Sequence, residues 1–349
     1  MIEGVKKQSA GVRRNLKEIQ RRRGHEAKLR LFRERQREFN LLLHPKKEYA
    51  DFPASKVFSI LTSRAETVAY LKKIDRNLND GIYTRMNLSS VEQTDLATVC
   101  LLSGYMLDSH TPGTFLEVRI PPKGTKSRKL FEEVEFQKMV IRQQRRRFTS
   151  GRFLSRSSKT VNNGAIQDIL DATVRFFGKD KLDRLNDLSP VIVEIVENAV
   201  FWADPRENKS LPWIFNTRTI NGPDYKEIEY CIVDLGVGMY ASIKQNVDKW
   251  NTITAKTIHR LTSALNSSTT QSSFLAKNIP SGIGSSTNSD ERGYGVQYVY
   301  QQANNDMYQV FDIITNKAHV KLKDMLNPVA DIDEDLSATV YYWKIRFYD

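Results

Sequence analysis

Glu194 and Asn198 sit four residues apart in the run VEIVENAVFWAD, residues 193–204. Apolar residues recur there at helical spacing. Positions i and i+4 project from the same side of a helix, while Val193, Val196 and Val200 make a separate stripe suited to a core. A carboxylate and an amide oxygen converging on a rim or pocket suit a hydrated cation and an activated water. Magnesium favours oxygen ligands and keeps waters, usually beside nucleotide phosphates, and a glutamate can orient or deprotonate an attacking water. Asp234 ends the apolar run of CIVDLGVGM, a buried strand closing in D-x-G-x-G. Its carboxylate can accept a hydrogen bond from an exocyclic amine, as on adenine. Gly236 and Gly238 remove side chains, so a flat ring can approach the backbone. In RGYGVQYVY, Gly293 and Gly295 fall at a helix start, where backbone N–H groups form an anion site suited to phosphates. Thr339, in SATVYYW, enters a late strand and adds a hydroxyl to the same pocket.

The elements that must position these residues follow from the pattern. From about residue 161, GAIQDILDATVRFFG and LSPVIVEIVENAVFWAD read as helices and YKEIEYCIVDLGVGM as a strand entering a Gly-containing turn. A long polar stretch then runs through SSTTQSSFLAKNIPSGIGSSTNSDERG, followed by the helix GYGVQYVYQQAN and the strands YQVFDIITN and TVYYWKIRFY. Residues 53–138 alternate differently. VFSILT is expected as a strand, SRAETVAYLKKIDRNLND as an amphipathic helix, YTRMNLSS as a strand and VEQTDLATVCLLSGYMLDS as a helix. TFLEVRIPP and KSRKLFEEVEF complete the series as strand and helix. Such alternation implies a small α/β domain. Residues 10–43 read as a helical arm with a thin apolar stripe, interrupted at Gly24, and residues 139–160 as a basic, Ser-rich linker.

Of the 349 residues, 53 are Lys or Arg and 41 Asp or Glu, a formal net charge of +12. The excess is local: residues 1–50 carry 15 basic and 6 acidic side chains. A second basic cluster, RQQRRRFTSGRFLSR, spans 142–156. An Arg-rich arm suits phosphate backbones in a salt-sensitive, sequence-tolerant way, or an acidic protein partner. No apolar run reaches bilayer-spanning length, so no membrane contact is expected. Cys100 and Cys231, both in apolar surroundings, read as reduced core residues, which fits the cytoplasm.

Taken in order, E-x-x-x-N, D-x-G-x-G, a polar Gly/Ser/Thr-rich segment, G-x-G and a late Thr resemble the GHKL ATPase superfamily of gyrase, the large heat-shock chaperone, histidine kinases and MutL. The resemblance covers roughly residues 161–349. It implies a Bergerat-type domain, a mixed sheet covered on one face by helices, holding ATP and Mg2+ between helices and lid. By that resemblance Glu194 matches the general base, Asn198 the magnesium ligand and Asp234 the adenine reader, with Gly236, Gly238 and the adjoining Met239 lining the pocket. Residues 250–292 match a mobile lid. Gly293, Tyr294, Gly295 and Val296 match its closing phosphate turn, and Thr339 the Thr near adenine. Trp202 flanks the site or belongs to the core. No Walker P-loop run is present. The preceding α/β pattern resembles STAS domains, best in MNLSSVEQTDLATVCLL. Their phosphorylatable Ser directly follows the loop Asp, whereas Leu96 follows Asp95 here.

The superfamily divides by the fate of the γ-phosphate. Glu194 favours hydrolysis and hence an ATP-driven conformational switch, by analogy in a bacterial stress or phage-defence system, with a protein partner and a homodimer as compatible assemblies. The alternatives are a histidine or serine protein kinase, for which His25 and His44 are the candidate acceptors although neither has the usual H-[DE]-x-R-x-P context, and a nucleic-acid-binding scaffold acting through residues 1–50 and 142–156.

Overall fold

In a computed structural model, residues 49–108, 116–136, 153–156, 163–202, 213–246, 255–282 and 295–348 are described. The chain divides into two compact units, Met1–Tyr49 and Ala50–Asp349. The basic helical arm, His25 and His44, and the Arg run at 142–152 lie outside the described residues. No helix among the described residues is long and apolar enough to cross a membrane.

The chain is α/β, with one parallel and one antiparallel sheet. The first half builds the parallel one. Strands β1 (Ala50–Pro53), β2 (Thr84–Asn87) and β3 (Leu116–Arg119) lie in the order 1-2-3, both pairings parallel. Parallel neighbours need crossovers. The connections supply helices α1 (Arg64–Asn79) and α2 (Leu96–Asp108), and α3 (Lys126–Glu133) follows β3. The first strand is not VFSILT (57–62) but ADFP (50–53), which ends three residues earlier, in a stretch expected to end the arm. Residues 57–62 make only an isolated bridge, Val57 to Gln93. Hydroxyl groups satisfy the backbone there in place of a ladder: the Ser59 N–H donates to Thr67 Oγ1 (3.1 Å) and the Ile60 N–H to Thr98 Oγ1 (2.6 Å). Asp95, just ahead of α2, accepts from the Thr98 N–H at 2.7 Å and from the Ser59 hydroxyl. That caps the helix start.

The second half forms a six-stranded sheet from β4 (Phe153–Arg156), β5 (Trp213–Asn221), β6 (Tyr225–Asp234), β7 (Tyr308–Asn316), β8 (Ala318–Lys321) and β9 (Leu336–Tyr348). Its order is β4-β5-β6-β9-β7-β8. Every pairing is antiparallel, where a mixed sheet was expected, because β5–β6 and β7–β8 are hairpins and β9 runs antiparallel to both neighbours. β4 arises within the stretch read as a linker.

Each face of this sheet carries a core. One is lined by Phe215, Tyr230, Phe311 and Trp343, with Trp343 stacked on Tyr230 (5.1 Å, 4°) and on Phe311 (5.4 Å, 14°). Helices α4 (Asn163–Phe177), α5 (Leu188–Trp202), α6 (Met239–Asn246), α7 (Ala255–Ser267), α8 (Gln271–Asn278) and α9 (Val296–Ala303) contribute to that core. The opposite face, including Ile214, Cys231, Val233, Val340 and Tyr342, shares its core with the parallel-sheet half. Helix α2 comes so close that a Cβ on Gly104 would lie 2.9 Å from Leu235. Helices thus cover one face as expected, and the parallel-sheet half covers the other.

Candidate functional site

Helix α5 is pinned by Leu188, Val191, Ile192, Ile195 and Val196, each wholly buried. Pro190 falls in its first turn, where a missing N–H costs nothing. Val193 packs on the same core from a partly buried position. Glu194, Glu197 and Asn198 occupy the less covered side. The Gly295 N–H, at the start of α9, donates to Glu194 Oε2 at 3.1 Å. Gly295 takes φ +61° and ψ −147°, a conformation that favours glycine. Partial burial, followed by the negative charge of Glu197, raises the Glu194 pKa, and the Gly295 N–H opposes the rise. The Asn198 Nδ2 is buried, with no hydrogen-bond partner among the described residues. An amide flip would put an oxygen, and so a ligand, at the same point.

A second cluster forms at one end of the large sheet. Asp234 ends β6 opposite Thr339 of β9 and accepts the Gly236 N–H at 2.9 Å through Oδ1. The turn to α6 passes through Gly238, φ +86°, where a Cβ would stand 2.5 Å from the Asn316 side chain. The Met239 N–H donates to Thr315 Oγ1 (2.7 Å) and Thr339 Oγ1 (3.1 Å). Asn316, itself at φ 50°, donates from Nδ2 to the Val237 carbonyl (2.8 Å) and accepts the Ala241 N–H (3.1 Å). Threonine and asparagine side chains from the ends of β7 and β9 therefore hold the glycine turn.

Of the residues singled out by spacing, Glu194 meets Gly295, with Asn198 on the same helix and Val296 buried in the first turn of α9. Asp234, Gly236, Gly238, Met239 and Thr339 form the second group. Val193, Met239 and Val296 join one core, so both groups border the helix-covered side of the sheet. Gly293, Tyr294 and the Trp202 and Val200 side chains lie outside the described residues. Of the stretch expected as a lid, residues 255–282 are described and contain α7, α8 and a short 3-10 turn. Sequence reading passed over Thr315, Asn316 and Glu197. The available signals were a Thr-Asn pair closing an apolar strand and a second glutamate three residues after Glu194. It also passed over Asp331, which caps α8 by accepting the Gln271 and Ser272 N–H groups at 2.7 and 2.9 Å.

These side chains can present a half-buried carboxylate, an amide beside it and a second, oriented carboxylate flanked by backbone lacking Cβ atoms. No protein-family model matches the chain, and a search of curated proteins returns no relative.

Proposed function

We propose that the chain is an ATP-binding, ATP-hydrolysing switch of the GHKL type, with a Bergerat-type second half and a STAS-like first half. The observation that carries this reading is the hydrogen bond from the Gly295 N–H to Glu194, which joins two motifs 101 residues apart in sequence. Asp234 would read the adenine amine, Gly236 and Gly238 would admit the ring, and Thr339 would border it. Asn198 would hold magnesium, and the Gly293–Gly295 turn would face the phosphates. Bound magnesium ATP supplies a γ-phosphate open to attack by water. Glu194 orients that water and takes its proton on the carboxylate. Its raised pKa brings the carboxylate closer to the affinity a base needs at neutral pH. The half packed on the far face of the sheet carries the output to a protein partner.

The test is the fate of ATP radiolabelled on its γ-phosphate, in the presence of Mg2+. Free phosphate is expected from the wild type. Glu194→Ala should bind a fluorescent ATP analogue as before and lose turnover by about 100-fold or more. Label retained on protein would replace hydrolysis by the kinase alternative. Equal turnover in the variant would falsify the assignment of the base.

A further inference from the structure

The chain has two cysteines, and the fold brings them together from opposite halves. Cys100 lies on α2 of the parallel-sheet half, and Cys231 on β6, a strand inside the large sheet. Both are buried and reduced, within the core that the two halves share. Helix α2 packs directly on β6. Cys100 and Gly104 stand one turn apart on a single face of that helix. Alternation puts Cys231, Val233 and Leu235 on one side of β6 and its extension. A Cβ on Gly104 would lie 2.9 Å from Leu235, so the missing side chain is what lets the helix come this near the strand. Of the influences on the Cys231 thiol, burial comes first and Cys100 next, by side-chain hydrogen bonding and then by charge.

We infer that Cys100 and Cys231 are a site of oxidative modification, closing a disulfide that ties helix α2 to β6 when the chain meets hydrogen peroxide. The bond would join the two halves covalently and close a long loop of chain, which stabilises the folded state. In a reducing compartment the dithiol is the resting form. The inference rests on the contact of α2 with β6 and stands apart from the nucleotide reading.

Closing the bond takes two electrons and two protons from the pair. One sulfur, as thiolate, attacks the peroxide and breaks its O–O bond. That gives a sulfenic acid and a hydroxide, which takes up the proton shed by the thiol and leaves as water. The other sulfur attacks the sulfenic sulfur. The S–S bond forms, the S–O bond breaks, and the second proton leaves with the oxygen as another water. Burial, Cys100, Asp95 and Glu229 all disfavour a thiolate at Cys231, so the reaction is slow. The same burial keeps glutathione from the finished bond, and the reduced pair gains no thiolate stabilisation that would favour its return. The cross-link is thus a lasting mark of peroxide exposure and not a rapid sensor.

The test is prolonged treatment of the folded, reduced full chain with millimolar hydrogen peroxide. Free thiols are then blocked with a maleimide in guanidinium chloride, and the peptides are weighed without reductant. The monomer band of a non-reducing gel should yield the Cys100 peptide joined to the Cys231 peptide, at their summed mass less two hydrogens. The oxidised chain should melt about 5 °C above the reduced one. Glutathione should leave the bond intact in the folded chain and cleave it in urea. These measurements use the wild type, so they stand even if Cys231→Ala, which should lose both the link and the gain in Tm, folds poorly. Two thiols still open to the maleimide, links only between chains, sulfinic or sulfonic acid in place of the link, or an unraised Tm would overturn the proposal.

Discussion

Glu194 is held between opposing influences on its protonation, and these set the pH dependence expected of the proposed base. Burial and the Glu197 charge favour its protonated form, while the Gly295 N–H favours the carboxylate. A base acts only when deprotonated. With Glu194 as the proposed base, phosphate release should therefore fall as pH drops through a value raised from that of an ordinary glutamate. Glu197→Gln removes the like charge and should move the acid limb of the rate–pH profile to lower pH, and an unmoved limb would count against the coupling. The positions of Glu194 on a helix and Asp234 at a strand end were legible, because i, i+4 spacing and an apolar run before D-x-G-x-G are local signals. Asn316 was not. Its contacts to Val237 and Ala241 cross roughly 75 to 79 positions of sequence and depend on a backbone angle that no pattern announces.

Among the elements, the glycine turn between β6 and α6 illustrates how local conformation and tertiary contact combine. Gly238→Ala would place a methyl against Asn316 at a positive φ. It should cost about 1–3 kcal/mol, read as a lower Tm in calorimetry. The ladder of β5, β6 and β9 carries a second testable feature. Burial alone would raise the pKa of Glu229, but Lys344 at 2.8 Å, the Tyr342 hydroxyl and Arg218 outweigh it, and the net shift is downward. The resulting stability is complete above the unfolded glutamate value and is lost as pH falls through the lower native value. Urea unfolding at a series of pH values should show that loss in the wild type. Glu229→Gln should be less stable by about 2 kcal/mol at neutral pH and lack that part of the acid dependence. Legibility among the elements was uneven for physical reasons. Long periodic helices such as α1, α4 and α5 were plain. β5 (WIFNTRTIN) was missed: it is buried on both faces in its first half and polar in its second, so it lacks strict alternation. α8 hid in a Ser- and Thr-rich stretch. Its start is set by Thr270, whose hydroxyl accepts the Ser273 N–H at 3.1 Å, and its residues Phe274 and Leu275 are buried by tertiary packing.

At the scale of the molecule, the two halves read from the sequence share one hydrophobic core. Ile214, Cys231, Val233, Val340 and Tyr342 are buried by the parallel-sheet half, not by the helices around the candidate site. A chain starting at about residue 150 would expose that apolar face and should aggregate or bind ANS strongly. A monodisperse, folded fragment in gel filtration and circular dichroism would contradict this. The links extend beyond apolar packing: Arg64 of α1 donates to the Ala330 carbonyl, and Arg76 pairs with Glu334 at 3.0 Å.

The place of β9 bears on how the molecule is made. Among the described strands it comes last in sequence, yet it lies between β6 and β7 within the sheet. While residues 336–348 are still inside the ribosome, β6 and β7 each have a bare side and Trp343 is missing from between Tyr230 and Phe311. The sheet can close only after residues 336–348 have left the ribosome. Until then the nascent chain displays the kind of unpaired apolar strand that chaperones cover.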